Sequence, residues 1–198
     1  MPQISLTDFV DIVSTSGTPK FTKVRKVKNR PPYAPGADFY KSLRDRIVEV
    51  HQKGLEYKDL QNLLKSLSDR KKAINYPILL NGYRRWWGRK KLKWFAPHQG
   101  LWSGHGIDVR VNPEIGLEFN EKLYLIKLYF KADKLSKTRT DIITHLMETC
   151  LGAQSSDIIM GVLDIRNSKL LCPTVPISGL SVALDGELAY ISALWEKV

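Results

Sequence analysis

Apolar positions along the chain change period near its middle. Between residues 4 and 13, Leu6, Phe9 and Val10 fall on one face of a short helix that Ser5 or Thr7 can cap. From Asp38, a plausible N-cap, Phe39, Leu43, Ile47 and Val50 mark a helical stripe that Gly54 closes. Tyr57, Leu60, Leu64 and Leu67 fit a second helix, and Tyr76, Leu80, Tyr83 and Trp87 a third. The third starts at Ser68 or restarts at Pro77. Beyond residue 100 alternation takes over: 107–111, 115–119 and 124–130 read as three strands in sequential antiparallel pairing, with a turn at Asn120-Glu121-Lys122. On this reading Ile107, Val109, Leu117, Phe119, Ile126 and Leu128 face the core. Asp108, Arg110, Glu118, Lys127, Tyr129 and Lys131 share the opposite face. A helix over 136–151 follows, closed by Gly152. A covered strand over 158–165 then turns through Arg166-Asn167-Ser168 into a short partner at 169–172. The last 21 residues read as a helix that Asp185-Gly186 interrupts.

These elements define an α+β protein: a basic helical N-terminal half on a small antiparallel meander, then a helix, a strand hairpin and a C-terminal helix. Three regions are expected, 1–36, 37–95 and 96–198, within what can be one compact unit.

Charge sharpens the division. Residues 1–100 hold 21 Lys+Arg and 8 Asp+Glu, a balance of +13, whereas 101–198 hold 10 and 12, a balance of −2. A basic half beside a near-neutral half suggests that one of them meets a polyanion. Two segments concentrate the cations. Lys20, Lys23, Arg25, Lys26, Lys28 and Arg30 precede Pro31-Pro32-Tyr33-Ala34-Pro35-Gly36, which forbids a helix, so this stretch reads as an extended basic arm lying along phosphates. The second segment, residues 83–95, packs six cations and five aromatics into 13 residues. Here Arg84, Arg85, Arg89, Lys90, Lys91 and Lys93 can neutralise phosphates while an indole such as Trp86 stacks on a base. A third cluster, Lys131, Lys134, Lys137 and Arg139 at a helix start, suits an anion.

Catalytic signatures are sparse. The order of strands and helix, with Asp108, Glu118 and Lys127, resembles the core of restriction-endonuclease-like (PD-(D/E)XK) nucleases over roughly residues 101–165. The resemblance implies Mg²⁺ or Mn²⁺ held by the two acids and a lysine polarising the attacking water. Where that family places an acid two residues before the lysine, this chain has Leu125. His98, His105 and Asp108 supply metal-ligand types at a spacing that matches no zinc pattern. Asp141, His145 and Glu148 read as a solvated helical stripe. No phosphate-binding glycine loop or nucleophile elbow occurs.

Cys150 and Cys172 are too few for a disulfide framework, and no apolar run reaches membrane-span length. The expectation is a cytoplasmic nucleic-acid-binding protein without membrane attachment or cofactor, acting within a larger assembly with protein partners. The alternatives are a metal-dependent nuclease and a protein-interaction adaptor that binds no nucleic acid.

Overall fold

The computed structural model describes residues 1–31, 38–154, 157–173 and 175–197. Its elements are β1 (Gln3–Ser5), α1 (Leu6–Val13), α2 (Thr18–Lys28), α3 (Lys41–Gln52), α4 (Tyr57–Leu60), α5 (Asn62–Lys65), α6 (Arg70–Trp87), β2 (Lys93–Phe95), β3 (Gly100–Gly104) and β4 (Ile107–Val111). They continue with β5 (Ile115–Phe119), β6 (Lys122–Tyr129), α7 (Lys137–Leu151), a 3-10 turn (Gly152–Gln154), β7 (Ile158–Asp164), β8 (Lys169–Leu171) and α8 (Leu180–Trp195). The protein is α+β, and among the described residues no helix is long and apolar enough to cross a membrane.

Two sheets organise the molecule. The smaller has the order β1-β4-β3, and the larger β2-β5-β6-β7-β8, with β6 and β7 parallel and α7 as their crossover. Alternation along the larger sheet sends side chains into two separate cores. Leu117, Ile126, Leu128 and Leu163 face α3, α4 and α6, where Leu43, Ile47, Leu79 and Tyr83 cover them. On the other face, Leu125, Tyr129, Met160 and Val162 meet α1, α7, α8 and the smaller sheet. The larger sheet is thus the middle layer of the molecule, as its near-continuous burial from Leu125 to Tyr129 requires.

Local chemistry accounts for most boundaries. Ser5 caps α1 by accepting from the Asp8 amide at 3.0 Å, and Ser136 caps α7 through the Arg139 amide at 3.2 Å. Asp69 opens α6 by accepting from the Lys72 amide at 2.9 Å. Pro77 does not restart that helix. It sits on the exposed face of the helix, where the hydrogen bond it cannot donate costs least. Asp185-Gly186 likewise leaves α8 unbroken, and the expected second helix is two short ones, α4 and α5.

Residues 107–131 depart from the sequential meander. The strands form where alternation placed them and the six expected core residues are buried, but β4 lies in the smaller sheet. Its neighbours are already supplied: β1 pairs with it in parallel, and β3 joins it through a two-residue turn at His105–Gly106, both left-handed. Residues 103–106 are therefore the end of β3 and a tight hairpin turn. Of the three strands in 107–131, β5 and β6 alone pair with each other, across a similar turn at Asn120–Glu121 with φ of 50° and 60°.

The basic arm is the larger correction. Residues 18–28 form α2 instead of an extended strand. Phe21, Val24 and Val27, three apart, match a helix turn, Pro19 occupies the first turn where its missing N–H costs nothing, and Val24 is fully buried. Most of the proline-rich stretch that follows, residues 32–37, lies outside the described residues.

Candidate nucleic-acid interface

The segment at 83–95 does not lie along a flat surface; it folds around a cavity of about 410 Å³. The last turn of α6 supplies Arg84 and Trp87. At Gly88, φ is +56°, a left-handed value that a side chain rarely adopts, and the chain turns there to bring Lys90, Lys91 and Leu92 round the helix end. The connection from α3 into α4 closes the far side with Leu55, Glu56 and Tyr57.

The aromatic wall is held from behind. The Tyr57 hydroxyl donates to the Leu80 carbonyl at 3.0 Å, fixing its ring beside α6. Trp87 stands edge-on to Tyr57, with ring centres 6.1 Å apart and planes at 86°. His51 lies behind Trp87 at 4.6 Å, and its Nε2 is 2.5 Å from the Tyr83 hydroxyl oxygen. Burial lowers the His51 pKa to about 4 and pushes the Tyr83 phenol well up, so both are neutral near pH 7.

The rim is cationic. The Arg84 guanidinium lies 6.0 Å over the Tyr57 ring, and neither it nor Lys91 has a carboxylate partner among the described residues. Lys90 packs its ammonium 5.3 Å above Trp86 and donates to the Trp86 carbonyl, covering an unbonded end of the helix. Burial lowers its pKa, the direction expected of an ammonium drawn from water without a counter-charge. Glu56, the only acid on the lining, pairs at 2.9 Å with Lys58. The arrangement presents unneutralised positive charge beside two aromatic rings.

Other residues of the segment stand differently. Trp86 is 4% exposed, packed against Tyr83 and Phe119, so it offers no ring to a base. Its half-buried neighbour Trp87 takes that place. Adjacent positions on a helix point about 100° apart, and the stripe through Leu79, Tyr83 and Trp86 buries the first indole and leaves the second at the margin. Arg85 donates to the Arg166 carbonyl at 3.2 Å, and Lys93 pairs with Glu118 at 2.9 Å. Arg89 is exposed and has no side-chain partner among the described residues. Trp87 and Tyr57 were both legible only as core stripe residues; nothing in their spacing marks a cavity between them.

Of the six cations at 20–30, Lys20, Lys23 and Lys28 are half-buried against the protein and Arg25, Lys26 and Arg30 are exposed. Lys20 pairs with Glu187 at 2.7 Å, Arg30 with Asp8 at 2.7 Å, and Lys23 donates to Asp11 O and Thr15 Oγ1. Lys28 donates to the Trp195 carbonyl, and Arg25 lies over Phe21. Lys26 alone of the six lacks a contact of this kind among the described residues. The helix is pinned to α1 and α8, with no strand of free charge to lay along a backbone.

The third cluster does not converge on an open anion site. Asp11 accepts from both Lys131 and Arg139, the latter at 2.6 Å, and Lys137 pairs with Asp141 at 2.7 Å. Burial raises the Asp11 carboxyl, but hydrogen bonds from those two cations outweigh it and hold the pKa below its usual value. Lys134 is exposed.

The nuclease-like trio is dispersed. Asp108 is in the smaller sheet, accepting from Ser103 Oγ at 2.6 Å. Glu118 stands opposite Leu123, four positions along β6 from Lys127, or about 13 Å. Lys127 is instead buried against Glu114, at 2.6 Å, and donates to the Asn112 carbonyl at 2.9 Å. Glu114 follows Pro113 at the start of β5, and the other oxygen of its carboxylate accepts from the Leu128 amide at 2.7 Å. A divalent ion does not fit here: there is one carboxylate, its oxygens are already engaged, and Leu125 at the family's second acid position is fully buried. Among the described residues no group of three or more His, Cys, Asp or Glu could hold a metal. His105 pairs with Asp185 at 3.0 Å, and His98 is exposed.

Comparison of the chain with protein-family models and with curated proteins finds no match.

Proposed function

We propose that this protein binds nucleic acid through the cationic aromatic cavity at the end of α6. The observation that carries the reading is the coincidence of Arg84 and Lys91, both without carboxylate partners, with the rings of Trp87 and Tyr57 on one concave surface. Phosphate oxygens satisfy guanidinium and ammonium groups that the fold leaves unpaired, and aromatic rings suit bases. Cytoplasmic residence belongs to the same proposal; Cys150 and Cys172 are free thiols whose pKa values burial raises. The two rings beside these cations favour nucleic acid over an acidic protein surface, which would pair with the cations but has no base to stack.

The test is fluorescence anisotropy of labelled oligonucleotides with wild type and Arg84→Ala/Lys91→Ala. Both side chains are exposed at the rim, so the variant retains the fold and binds about 10-fold or more weaker. Unchanged affinity in the folded variant refutes the assignment. The same oligonucleotides incubated with Mg²⁺ or Mn²⁺ remain intact on this reading, because the Glu114–Lys127 pair offers no metal site. Cleavage abolished by Glu114→Gln refutes that part.

A further inference from the structure

Resting on that reading, we infer that the cavity takes an unpaired nucleotide of a single strand, with its base against Trp87 and Tyr57 and its phosphate between Arg84 and Lys91.

The shape of the site restricts the ligand first. A volume of about 410 Å³ falls within the range that encloses a small molecule. A duplex meets proteins as a rod whose bases are stacked on one another, and only its outer edges and backbone can touch a concave site of this size. A strand without a partner can turn one base out of its stack.

The rings restrict it further. Trp87 and Tyr57 stand at 86° with centres 6.1 Å apart, and so form a corner instead of a slot. A planar base lying on one ring presents its edge to the face or edge of the other, the two arrangements aromatic groups prefer. His51 behind Trp87 and the Tyr57 hydroxyl bond to Leu80 keep the corner from collapsing when it is empty. Such stacking tolerates any base, since each has a π face, so the site selects for strandedness and not for sequence.

Cation placement completes the fit. Arg84 projects over Tyr57, and Lys91, three residues past Gly88, lines the same cavity. Both are exposed cations on the wall that holds the ring corner, available to the phosphate of a base seated there. Lys90 is committed to the Trp86 carbonyl and serves as a fixed positive charge below the rim.

The experiment compares a labelled 12-nucleotide single strand of mixed sequence with the same sequence as a blunt duplex, at one salt concentration. The proteins are wild type, Trp87→Leu, Trp87→Phe and Arg84→Ala/Lys91→Ala, each checked for folding by circular dichroism. Wild type is expected to bind the single strand about 10-fold tighter than the duplex. Trp87→Leu loses roughly 10-fold on the single strand and little on the duplex, while Trp87→Phe, which keeps a ring, retains most of the preference. The double variant weakens on both. Equal or stronger duplex binding by wild type overturns this inference while leaving nucleic-acid binding intact, and absence of binding to either probe overturns both. Should Trp87→Leu fail to fold, the wild-type ratio decides.

Discussion

Acidification is the perturbation that tests the cavity's support most directly. His51 is 5% exposed and has only neutral neighbours, Tyr83 and Trp87, in contact with its ring. Burial alone moves its pKa from 6.5 to about 4. In the unfolded chain the same imidazole protonates near 6.5, so between these two values the unfolded state binds the extra proton. Stability conferred by the neutral buried ring is fully present above pH 6.5. It falls as pH drops through that value and is lost by about pH 4, where the native state also takes the proton. A gap of about 2.5 units corresponds to roughly 3 kcal/mol, a large share of the ~5–15 kcal/mol that holds a typical domain. Asp11 contributes in a lower window, because its folded pKa lies below 3.8 and its stabilisation is lost only as pH falls past that range.

Urea denaturation at pH 7.5, 6.5, 5.5 and 4.5 reads this out. Wild type loses stability with a slope approaching 1.4 kcal/mol per pH unit below pH 6. His51→Gln keeps a polar partner for the Tyr83 hydroxyl but cannot titrate. It starts less stable at pH 7.5 and shows a much flatter slope. An equal slope in the variant refutes His51 as the group responsible, and with it the claim that a neutral imidazole braces Trp87.

Three further outcomes follow from contacts elsewhere. A Cβ on Gly82 lies 2.0 Å from the Ile165 carbonyl oxygen, a backbone atom that cannot rotate away, so Gly82→Ala separates α6 from the sheet. The cost is about 3 kcal/mol, read as a melting-temperature drop of roughly 5–10 °C. Lys127→Met leaves the Glu114 carboxylate buried without its cation and destabilises by about 3–5 kcal/mol; the Glu114→Gln/Lys127→Met double variant recovers part of this in a double-mutant cycle. Asp11→Asn releases Lys131 and Arg139 together and costs about 1–2 kcal/mol in denaturant titrations at pH 7.

What the sequence made legible follows the range of the forces involved. The cap at Ser5, the helix start at Ser136 and the apolar stripes of α1, α3 and α7 are decided within a few residues, so pattern alone reveals them. Strand pairing is decided by distant segments. Nothing within 107–111 announces that residues 3–5 will occupy its edge, and that contact diverts β4 from β5. Burial of charge is equally non-local: Lys127 reads as a surface cation until Glu114, across a hairpin, meets it in the interior. The basic aromatic run at 83–95 was visible, but its concavity was not. That depends on Leu55 and Tyr57, which arrive from an earlier helix pair and carry no chemical signature of their own. The arm was misread for a simpler reason. Intervals of three between Phe21, Val24 and Val27 fit a helix face, and the prolines that weighed against one come only after Lys28.

Charge accounting separates a local site from a basic face. Counterion release on binding comes from cations that meet phosphate without first leaving another partner. By that criterion residues 20–30 contribute two of their six cations, Arg25 and Lys26, since Lys20 and Arg30 already hold carboxylates and Lys23 and Lys28 hold oxygen acceptors. Around the cavity, Arg84 and Lys91 meet that criterion, Lys90 is held by the Trp86 carbonyl, and Arg89 lies close by in sequence. Two or three phosphate contacts give a slope of log affinity against log salt of about −1.4 to −2 for a single strand, at ~0.7 per contact. The twelve cations of both basic segments acting together would give about −8. Titrations from 50 to 300 mM NaCl, as an order-of-magnitude window around physiological ionic strength, distinguish these cases. A slope near −2, reduced to about −1 in Arg84→Ala/Lys91→Ala, fits a ligand held at one cavity. A slope steeper than about −6 requires many cations beyond the cavity to meet phosphate and refutes the local site.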